Sequence, residues 1–512
     1  RNAHYPQDPA FMDACDELGL FVIVNTPGWQ FWNNAPSFEQ LVYNDIRNMV
    51  RRDRNRPSIW LWEPILNETW YPDAFALNTK NVVEQEMQGG TAYTASDLEA
   101  KGSEHFPVQF TYPLDEKEID PNKNYYTREW GDNVDDWNSH NSPSRVHRSW
   151  GEKPMLVQAM HYSNPLYSYI SYNSLYKTSS QHMGGALWHS FDHQRGYHPD
   201  PFYGGIMDAY RQPKYSYQMF KAQRSPEKTA IIAETGPMVY IANEMTPFSG
   251  SDVVVFSNCD EVKLKVFKNG KEFIHKKDKA EKGMPSPPIV FKDVYHFLDI
   301  KALHRNKKER EAYLVVEGLM NGKVVATDTV RSALRPEKIV LSIDNEGVDL
   351  KADGSDFVTV IAAVTDKQGN VKRLNNSIIK FEISGEGSII GDEAFIANPK
   401  QLNWGTAPIL VQSSTNPGTI TIKASMFYKG TLKPIAGEIT LNSVPTNDVL
   451  LYDKRELEAK KDNKLISSEK SSNSVNNKIE IELKKVKKEL HDLKLKTVEK
   501  QQEEFGEKSK ED

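Results

Sequence analysis

The sequence predicts a multidomain protein made of part of a (β/α)8 (TIM) barrel, two β-sandwich domains and a charged tail. In residues 1–224, short apolar runs alternate with amphipathic or loop stretches, which is typical of a β/α fold. Residues 225–335 and 336–446 instead carry short strands of alternating polarity between turn residues, the pattern of β-sandwiches. Residues 447–512 are rich in Lys, Glu, Ser and Asn and predict a helical or disordered tail.

Six strands are predicted in the first region. They lie at 20–25, 58–66, 91–95, 107–112, 124–129 and 184–190. Between the first two, Phe38–Arg52 carries apolar residues at helical spacing and predicts a helix. Six strands with intervening helices fit an eight-stranded barrel whose first two units are absent, so we expect an N-terminally truncated chain. In such barrels the chemistry lies at the C-terminal ends of the strands.

Two local signals complete the architecture. The turn Lys268–Lys271 contains the Asn-Gly pair favoured in type I′ hairpins, which predicts a hairpin in the first sandwich. In the tail, apolar residues recur at heptad spacing, namely Ile479, Leu483, Val486, Leu490 and Leu493. This run is short, so a coiled coil that drives self-association and a partly disordered amphipathic helix both remain open.

Composition narrows the class of protein. The formal net charge of −6 argues against nucleic acid or an anionic membrane as the main partner, and no apolar stretch is long enough for a membrane span. Two cysteines, Cys15 and Cys259, cannot form a disulfide framework. The 10 Trp and 22 Tyr lie mostly in the first region. Aromatic faces beside polar groups suit carbohydrate, but a large aromatic core would give the same composition.

Glu68 follows the apolar run Ser58–Leu66 and is the first candidate catalytic residue. A carboxylate that closes a buried strand is costly unless it has a task or a partner. The alternative is a structural ion pair with an arginine of the preceding segment Arg51–Pro57. Neither interpretation is favoured by these residues alone.

Glu129 is the second candidate, at the end of the run NYYTREWGD. Its alternative is an ion pair with the adjacent Arg128. Because both carboxylates are predicted at C-terminal strand ends of one barrel, Glu68 and Glu129 can face each other across a cleft. Such pairs act as general acid and nucleophile on acetals.

Four segments resemble successive motifs of one known family, in order and spacing. They are RNAHYPQDPAFMDACDELGLFVIVNTPGW, RDRNRPSIWLWEPILNET, TREWGD and GGALWHSFDHQ. The chain is similar to glycoside hydrolase family 2, the β-galactosidase and β-glucuronidase family. The resemblance implies that Glu68 is the general acid/base at the end of barrel strand 4 and that Glu129 is the nucleophile at the end of strand 7. It also implies retention of configuration through a covalent glycosyl-enzyme.

The resemblance extends to the sugar site. It implies that Asn67 hydrogen-bonds the sugar 2-hydroxyl and that His4, Arg1 and Trp188 bind substrate. The predicted substrate-binding set is Asn67, His4, Arg1, Trp188, Trp62, Asp192, His193 and Arg195. Arg195, together with Arg128 and His4, would suit an anionic or sulfated glycan.

The loop after the last strand could serve other purposes. His189, Asp192, His193 and His198 could be read as a metal site, but their spacing matches no standard zinc pattern. Contact with substrate and structural hydrogen bonding are the alternatives. We expect no metal and no cofactor.

Three features depart from the family pattern. Asn25 and Thr26 stand where the family carries an acidic residue after strand 3, WEPILNE is one residue longer than the usual form, and REWGD replaces an acidic-Tyr form. A rival for the nucleophile's strand is KPMLVQAMHY, which offers only Gln158.

These observations predict a retaining exo-glycosidase acting on a terminal β-linked, galactose-like sugar of an oligo- or polysaccharide. A β-glucuronidase or another β-glycosidase of the family is the alternative, and a non-catalytic carbohydrate-binding or scaffold protein is the competing class. The sandwiches resemble immunoglobulin-like modules of bacterial polysaccharide-degrading members, which suggests a periplasmic or secreted location. We expect the parent protein to be active and an isolated fragment to be inactive.

Overall fold

The computed structural model describes most of the chain. The described residues are 1–87, 93–131, 142–164, 170–194, 201–229, 235–277, 283–345, 347–392, 397–428, 433–447, Lys485 and Lys488. The chain divides into two compact units, Arg1–Leu334 with Asn370–Leu374, and Arg335–Gly369 with Asn375–Asp512. In the described part, no helix is long and apolar enough to cross a membrane.

The first unit begins with six parallel strands. They are β1 (Val22–Asn25), β2 (Ile59–Glu63), β3 (Ala95–Asp97), β4 (Val108–Phe110), β5 (Asn124–Trp130) and β6 (His182–Leu187). β1 pairs with β2, β3 to β6 pair in chain order, and a bridge between Trp62 and Thr94 joins the two groups. Parallel strands in chain order are the arrangement of a β/α barrel, as the alternation of apolar runs predicted. The third strand starts at Ala95, later than the predicted 91–95.

Helices connect and follow these strands. They are α1 (Pro9–Leu18), α2 (Pro36–Asp53), α3 (Asp73–Glu86), α4 (Glu152–Ser163), α5 (Tyr172–Lys177) and α6 (Tyr215–Lys221), with short 3-10 turns at Ser103–His105, Glu116–Glu118 and Arg148–Trp150. The predicted helix Phe38–Arg52 is confirmed as α2. The segment KPMLVQAMHY, the rival for the nucleophile's strand, lies in α4, so it provides no alternative strand.

Local sequence explains the helix ends. The Asp8 side chain accepts a hydrogen bond from the Ala10 amide at the start of α1, and Gly19 ends that helix with a left-handed φ of 68°. Both α1 and α2 carry proline in their first turn, where a missing amide hydrogen costs nothing.

Strand alternation sorts side chains into two layers. Ile23 and Leu61 lie in a cluster with residues of β3 and β4, whereas Val24 and Trp62 pack in the cluster formed with α1, α2 and α3. Asn25 and Glu63 are two residues beyond Ile23 and Leu61, on the same face. The alternation therefore directs polar side chains inward at the C-terminal ends of β1 and β2.

The arginines that precede β2 belong to this scaffold. Arg51 pairs with Glu86 at 2.8 Å, Arg52 pairs with Asp53, and Arg56 reaches Asp13 at 2.6 Å. These contacts hold the start of β2 against α1, α2 and α3.

The first unit continues as two antiparallel sheets over one core. Their strands are β7 (Val239–Ala242), β8 (Val253–Ser257), β9 (Glu261–Val266), β10 (Glu272–Lys276), β11 (Ile289–Phe291), β12 (Tyr313–Met320) and β13 (Lys323–Arg331), with α7 (Phe297–Arg305) and a 3-10 turn at Glu309–Glu311. The sheet orders are β10-β9-β12-β13 and β11-β8-β7, and one apolar cluster spans both. The hairpin predicted at Lys268–Lys271 joins β9 to β10. The predicted hairpin is therefore confirmed, although its turn is not of type I′, because Asn269 has a positive φ and Gly270 does not.

The second unit is also built from two sheets. Its strands are β14 (Lys338–Asp344), β15 (Leu350–Lys351), β16 (Phe357–Thr365), β17 (Ile378–Gly385), β18 (Gly387–Ile389), β19 (Lys400–Gln401), β20 (Thr406–Ser413), β21 (Gly418–Met426) and β22 (Gly437–Val444). The orders β14-β16-β20-β18 and β15-β22-β21-β17-β19 share one apolar cluster. The predicted tail helix lies outside the described residues, apart from Lys485 and Lys488.

Within the first unit, Glu152 joins the barrel helices to the first sandwich. Its Oε2 atom accepts hydrogen bonds from the Glu244 amide at 2.9 Å and from the Ser249 hydroxyl at 2.7 Å. Glu152 is only 6% exposed. Burial raises the pKa of Glu152 from 4.5 to about 7, and the nearby Glu244 charge also raises it, whereas the two hydrogen bonds and Lys153 lower it.

Glu152 should therefore make stability fall as the pH rises. The folded protein retains the Glu152 proton between about pH 4.5 and pH 7, where the unfolded chain releases it. In Glu152→Gln the amide oxygen can accept both hydrogen bonds without a charge, so at pH 8 this variant should be more stable than wild type by about 2–3 kcal/mol. Urea unfolding at pH 5 and pH 8 measures the effect, with exposed Glu17→Gln as the control. An equal pH dependence in wild type and Glu152→Gln would contradict the assignment.

Candidate active site

A buried arginine links three strand-end residues inside the barrel. Arg1 donates from Nε and Nη2 to both carboxylate oxygens of Glu63, each at 2.7 Å. The same guanidinium reaches Glu129 Oε1 at 2.5 Å and Asn67 Oδ1 at 2.9 Å. The side chains of Arg1 and Glu63 are 1% and 0% exposed. Burial lowers the pKa of Arg1, but the charges of Glu63 above all, and of Glu129 and Asp97, raise it further than burial lowers it. The net pKa is raised, so Arg1 stays charged.

A second arginine lies between the two candidate catalytic carboxylates. Arg128 Nε contacts Asp97 Oδ1 at 2.6 Å, which fixes the guanidinium at the end of β3. Its two terminal nitrogens lie 3.5 Å from Glu68 Oε1 and 3.5 Å from Glu129 Oε1, and one of them also donates to Asn67 Oδ1. One planar group thus reaches both carboxylates, which brings the ends of β2 and β5 to one place.

Glu68 is held in an unusual backbone conformation. Its φ is 49°, in the left-handed region that most L-residues avoid, and the facing Gln30 has a φ of 53°. The Gln30 amide donates to the Asn67 carbonyl at 2.9 Å, and the Gln30 side chain donates to Glu68 Oε2 at 2.7 Å. The Glu68 side chain remains 45% exposed. The loops after β1 and β2 therefore present this carboxylate to solvent.

Glu129 lies deeper, with a side chain that is 25% exposed. Burial raises the pKa of Glu129, the charges of Arg1 and Arg128 lower it, and those of Glu68 and Glu63 raise it further. Burial likewise raises the pKa of Asp97. Among the described residues, the guanidinium groups of Arg1 and Arg128 are therefore the groups that favour the ionised form of Glu129.

Three aromatic rings line one side of the site, from the N-terminal segment and from the loops after β1 and β6. The His4 ring stacks on Trp29 with centroids 5.4 Å apart and lies 5.9 Å from the ring of Trp188. Burial, followed by the charge of Arg1, lowers the pKa of His4 to about 4. His4 is therefore neutral at pH 7 and can donate or accept a hydrogen bond without adding charge.

Two residues of the predicted substrate-binding set are occupied elsewhere. Trp62 is 2% exposed and packs between the strands and the helices, because its place in β2 points it away from the barrel interior. Asp192 is 4% exposed and accepts from Lys214 Nζ at 2.7 Å and from the Gly205 amide at 3.0 Å. The structure brings neither side chain to the carboxylates, and Asp192 instead holds the loop after β6 in place.

The other candidate ligands in the loop after β6 are histidines and an arginine. His193 is exposed, with its ring 4.3 Å from that of His189. Arg195 and His198 lie outside the described residues. Among the residues that are described, no group of three His, Cys, Asp or Glu side chains could hold a metal ion. Cys15 and Cys259 are buried and free.

Sequence reasoning missed three residues that the structure places at the site: Glu63, Asp97 and Gln30. Glu63 lies inside the apolar run Ser58–Leu66. It is two residues after Leu61 and therefore points to the same inward face of β2, and this alternation along the strand could have identified it. Asp97 is the last residue of β3, a strand that the sequence predicted too early in the chain. Gln30 lies in a loop and carried no sequence signal.

These features define a β/α-barrel protein whose strand ends carry a mixed carboxylate and guanidinium site. Two family models match the chain: the TIM barrel domain of glycosyl hydrolases family 2 at residues 1–85, and the glycoside hydrolase family 2 C-terminal domain 5 at residues 339–428. The chain therefore carries two segments that match domains of glycoside hydrolase family 2.

Similar proteins agree with this assignment. A β-galactosidase of Thermoanaerobacter pseudethanolicus is 28% identical over 445 residues, which are 84% of this chain and 55% of that protein. The β-galactosidase BoGH2A of Bacteroides ovatus is 22% identical over 505 residues, covering 83% of this chain and 55% of its own. A solved β-glucuronidase from the family has a TM-score of 0.60 and 20% identity, covers 88% of this chain and 45% of its own, and shares the fold. The chain spans about half the length of the curated relatives it matches.

Proposed function

We propose that the protein is a retaining exo-glycosidase that hydrolyses a terminal β-linked, galactose-like sugar from an oligo- or polysaccharide. The observation that carries the proposal is the contact of one guanidinium, that of Arg128, with both Glu68 and Glu129 at 3.5 Å. Two carboxylates at the ends of β2 and β5, one exposed and one half-buried, are what acid-assisted cleavage of an acetal requires.

In the proposed mechanism, the two carboxylates act in turn. Glu68 donates its proton to the leaving-group oxygen while Glu129 attacks the anomeric carbon and forms a glycosyl ester. Glu68 then removes a proton from water, which attacks the anomeric carbon and releases Glu129. Arg1 and Arg128 favour the ionised form of Glu129 before attack and after release. Asn67, held by both guanidinium groups, would meet the sugar 2-hydroxyl.

A neutral sugar fits the site better than a uronate. The ionisable carboxyl and guanidinium groups at the site, among the described residues, are Glu63, Glu68, Asp97, Glu129, Arg1 and Arg128. With Glu68 protonated for its role as the acid, the other carboxylates still outnumber the guanidinium groups, and His4 is neutral, so an added substrate carboxylate would meet repulsion. Both curated relatives described above are named β-galactosidases, which also supports a galactoside.

Other functions are proposed second to a β-galactosidase-like activity. A β-glucuronidase or another β-glycosidase of the family is the second candidate, and Arg195 would be its substrate-carboxylate ligand. A non-catalytic carbohydrate-binding or scaffold protein is the competing class, and it would bind sugar without turnover. The modular arrangement of the family supports immunoglobulin-like sandwiches and a periplasmic or secreted location as further proposals. Self-association through the tail is a further proposal that rests only on the heptad spacing of its apolar residues.

Turnover with a stereochemical readout tests the proposal. We expect the full-length protein to hydrolyse a p-nitrophenyl β-galactoside faster than the matching β-glucuronide. Proton NMR of the first product should show the β-anomer, which later equilibrates with the α-anomer. An α-anomer formed first would contradict the covalent mechanism, a preference for the glucuronide would reverse the sugar assignment, and sugar binding without turnover would favour the non-catalytic class.

A further inference from the structure

A pocket of about 350 Å³ opens beside Glu68. Two loops of the barrel form it, one after β1 and one after β2. Its lining residues are Gln30, Phe31, Trp32, Glu68, Thr69 and Trp70. The pocket therefore combines the candidate acid/base with three aromatic side chains from loops at the C-terminal ends of neighbouring strands.

Two of the aromatic side chains are unusually exposed. Trp70 is 83% exposed and Phe31 is 61% exposed, although large apolar side chains are normally buried. Trp32 is half-buried and fixed edge-on against Phe75 at 4.9 Å and Phe38 at 5.3 Å. A fixed ring with two exposed rings beside it forms an aromatic wall, and exposed apolar surface of this kind marks a binding site.

Polar groups lie next to that wall. Glu68 Oε2 accepts from Gln30, and the Thr69 hydroxyl donates to the Asn67 carbonyl, which leaves the hydroxyl oxygen able to accept. A pyranose ring has apolar C–H faces and hydroxyl groups around its edge. Aromatic faces beside hydrogen-bonding groups match both parts of such a ring.

The position of the pocket indicates which part of a substrate it would hold. In the proposed reaction, Glu68 protonates the oxygen that joins the cleaved sugar to its leaving group, so the leaving group lies on the Glu68 side. Arg1, Glu63 and Glu129 form the buried side, where the anomeric carbon is attacked. The aromatic pocket contains Glu68 and none of those three residues.

We propose that this pocket binds the sugar ring of the leaving group, with Trp70 and Phe31 contacting its C–H face. The inference rests on the proposed function and deepens it. It assigns the substrate class as oligosaccharides, in which a second pyranose follows the cleaved bond, rather than glycosides of small alcohols. Trp70 and Phe31 are then specificity-determining residues.

The test compares two substrates that carry the same glycosyl group. A β-glycosyl fluoride has no leaving-group ring, whereas a β-linked disaccharide has a pyranose there. We expect Trp70→Ala in the full-length protein to lower the ratio of kcat/KM for disaccharide over fluoride by about tenfold, and Phe31→Ala by about threefold, the range of one aromatic contact. Because Trp70 is so exposed, its removal should leave folding intact.

Phe248→Ala is the matched control, since Phe248 is 67% exposed in a loop of the first sandwich and should leave the ratio unchanged. A ratio unaffected by Trp70→Ala and Phe31→Ala would overturn the proposal. A p-nitrophenyl β-glycoside serves as a third substrate. A loss confined to that substrate would also overturn the proposal, because the pocket would then select aromatic leaving groups. Wild-type protein that hydrolyses no β-glycosyl fluoride would overturn the proposed function itself, whereas fluoride turnover with an unchanged ratio would overturn only the pocket assignment.

Discussion

Glu129→Gln is expected to lower kcat by about four powers of ten or more, the usual cost of removing a nucleophile. A neutral amide cannot attack the anomeric carbon. The amide oxygen can still accept from Arg1 and Arg128, which contact Glu129 Oε1 at 2.5 and 3.5 Å. Because burial already raises the pKa of Glu129, loss of the charge should not destabilise the fold. Steady-state kinetics and urea unfolding of the same preparation separate the two effects.

A chemical rescue makes the assignment of Glu129 specific. In Glu129→Ala, azide can enter the vacated position and attack the anomeric carbon from the side of the missing carboxylate. The expected product is the α-glycosyl azide, identified by NMR. Glu104→Gln, an exposed site, is the control that should keep full activity. A Glu129→Gln enzyme within tenfold of wild type would contradict the nucleophile role.

The barrel could be predicted from sequence because strand periodicity is local. Each parallel strand is a short apolar run, and five of the six predicted runs overlap their strands closely. The third did not, since TAYTA contains small and polar residues without clear alternation, and pairing with β4 begins only at Ala95. KPMLVQAMHY could be a rival for the nucleophile's strand in the sequence because a short apolar run fits a buried helix as well as a strand, and in the structure it is a helix.

The site was less predictable because it depends on contacts between distant residues. Glu68 and Glu129 were found through motifs, and the structure brings both to Arg128. Before the structure, an ion pair of Glu68 with the arginines of Arg51–Pro57 was equally open. Those arginines have acidic partners on α3 and α1, namely Glu86 and Asp13, which no spacing could reveal. The position of Asp192 was unpredictable for the same reason. Its side chain is held by Lys214, which is 22 residues away in sequence, and no spacing indicates that contact.

Glu68→Ala is expected to slow reactions according to their leaving group. An activated leaving group such as dinitrophenolate departs without a proton, so its first step should change little. A disaccharide needs the proton from Glu68, so its kcat/KM should fall by about a thousandfold, within the range of general acid catalysis. The Glu68 side chain is 45% exposed, and its removal leaves Arg128 with Asp97 and Asn67 as partners, so folding should not account for the loss. Kinetics on both substrates measure the contrast.

The same variant distinguishes the two carboxylates from each other. In Glu68→Ala, an activated substrate should still form the covalent intermediate on Glu129. Hydrolysis of that intermediate should be slow, because no base is left to activate the attacking water. Azide, which needs no base, should enter from the Glu68 side and give the β-glycosyl azide, the opposite anomer to that expected from Glu129→Ala. If each carboxylate acts as assigned, Glu68 and Glu129 lie on opposite faces of the sugar, and the two variants give opposite anomers. The α-anomer from both variants would therefore contradict the acid/base role of Glu68.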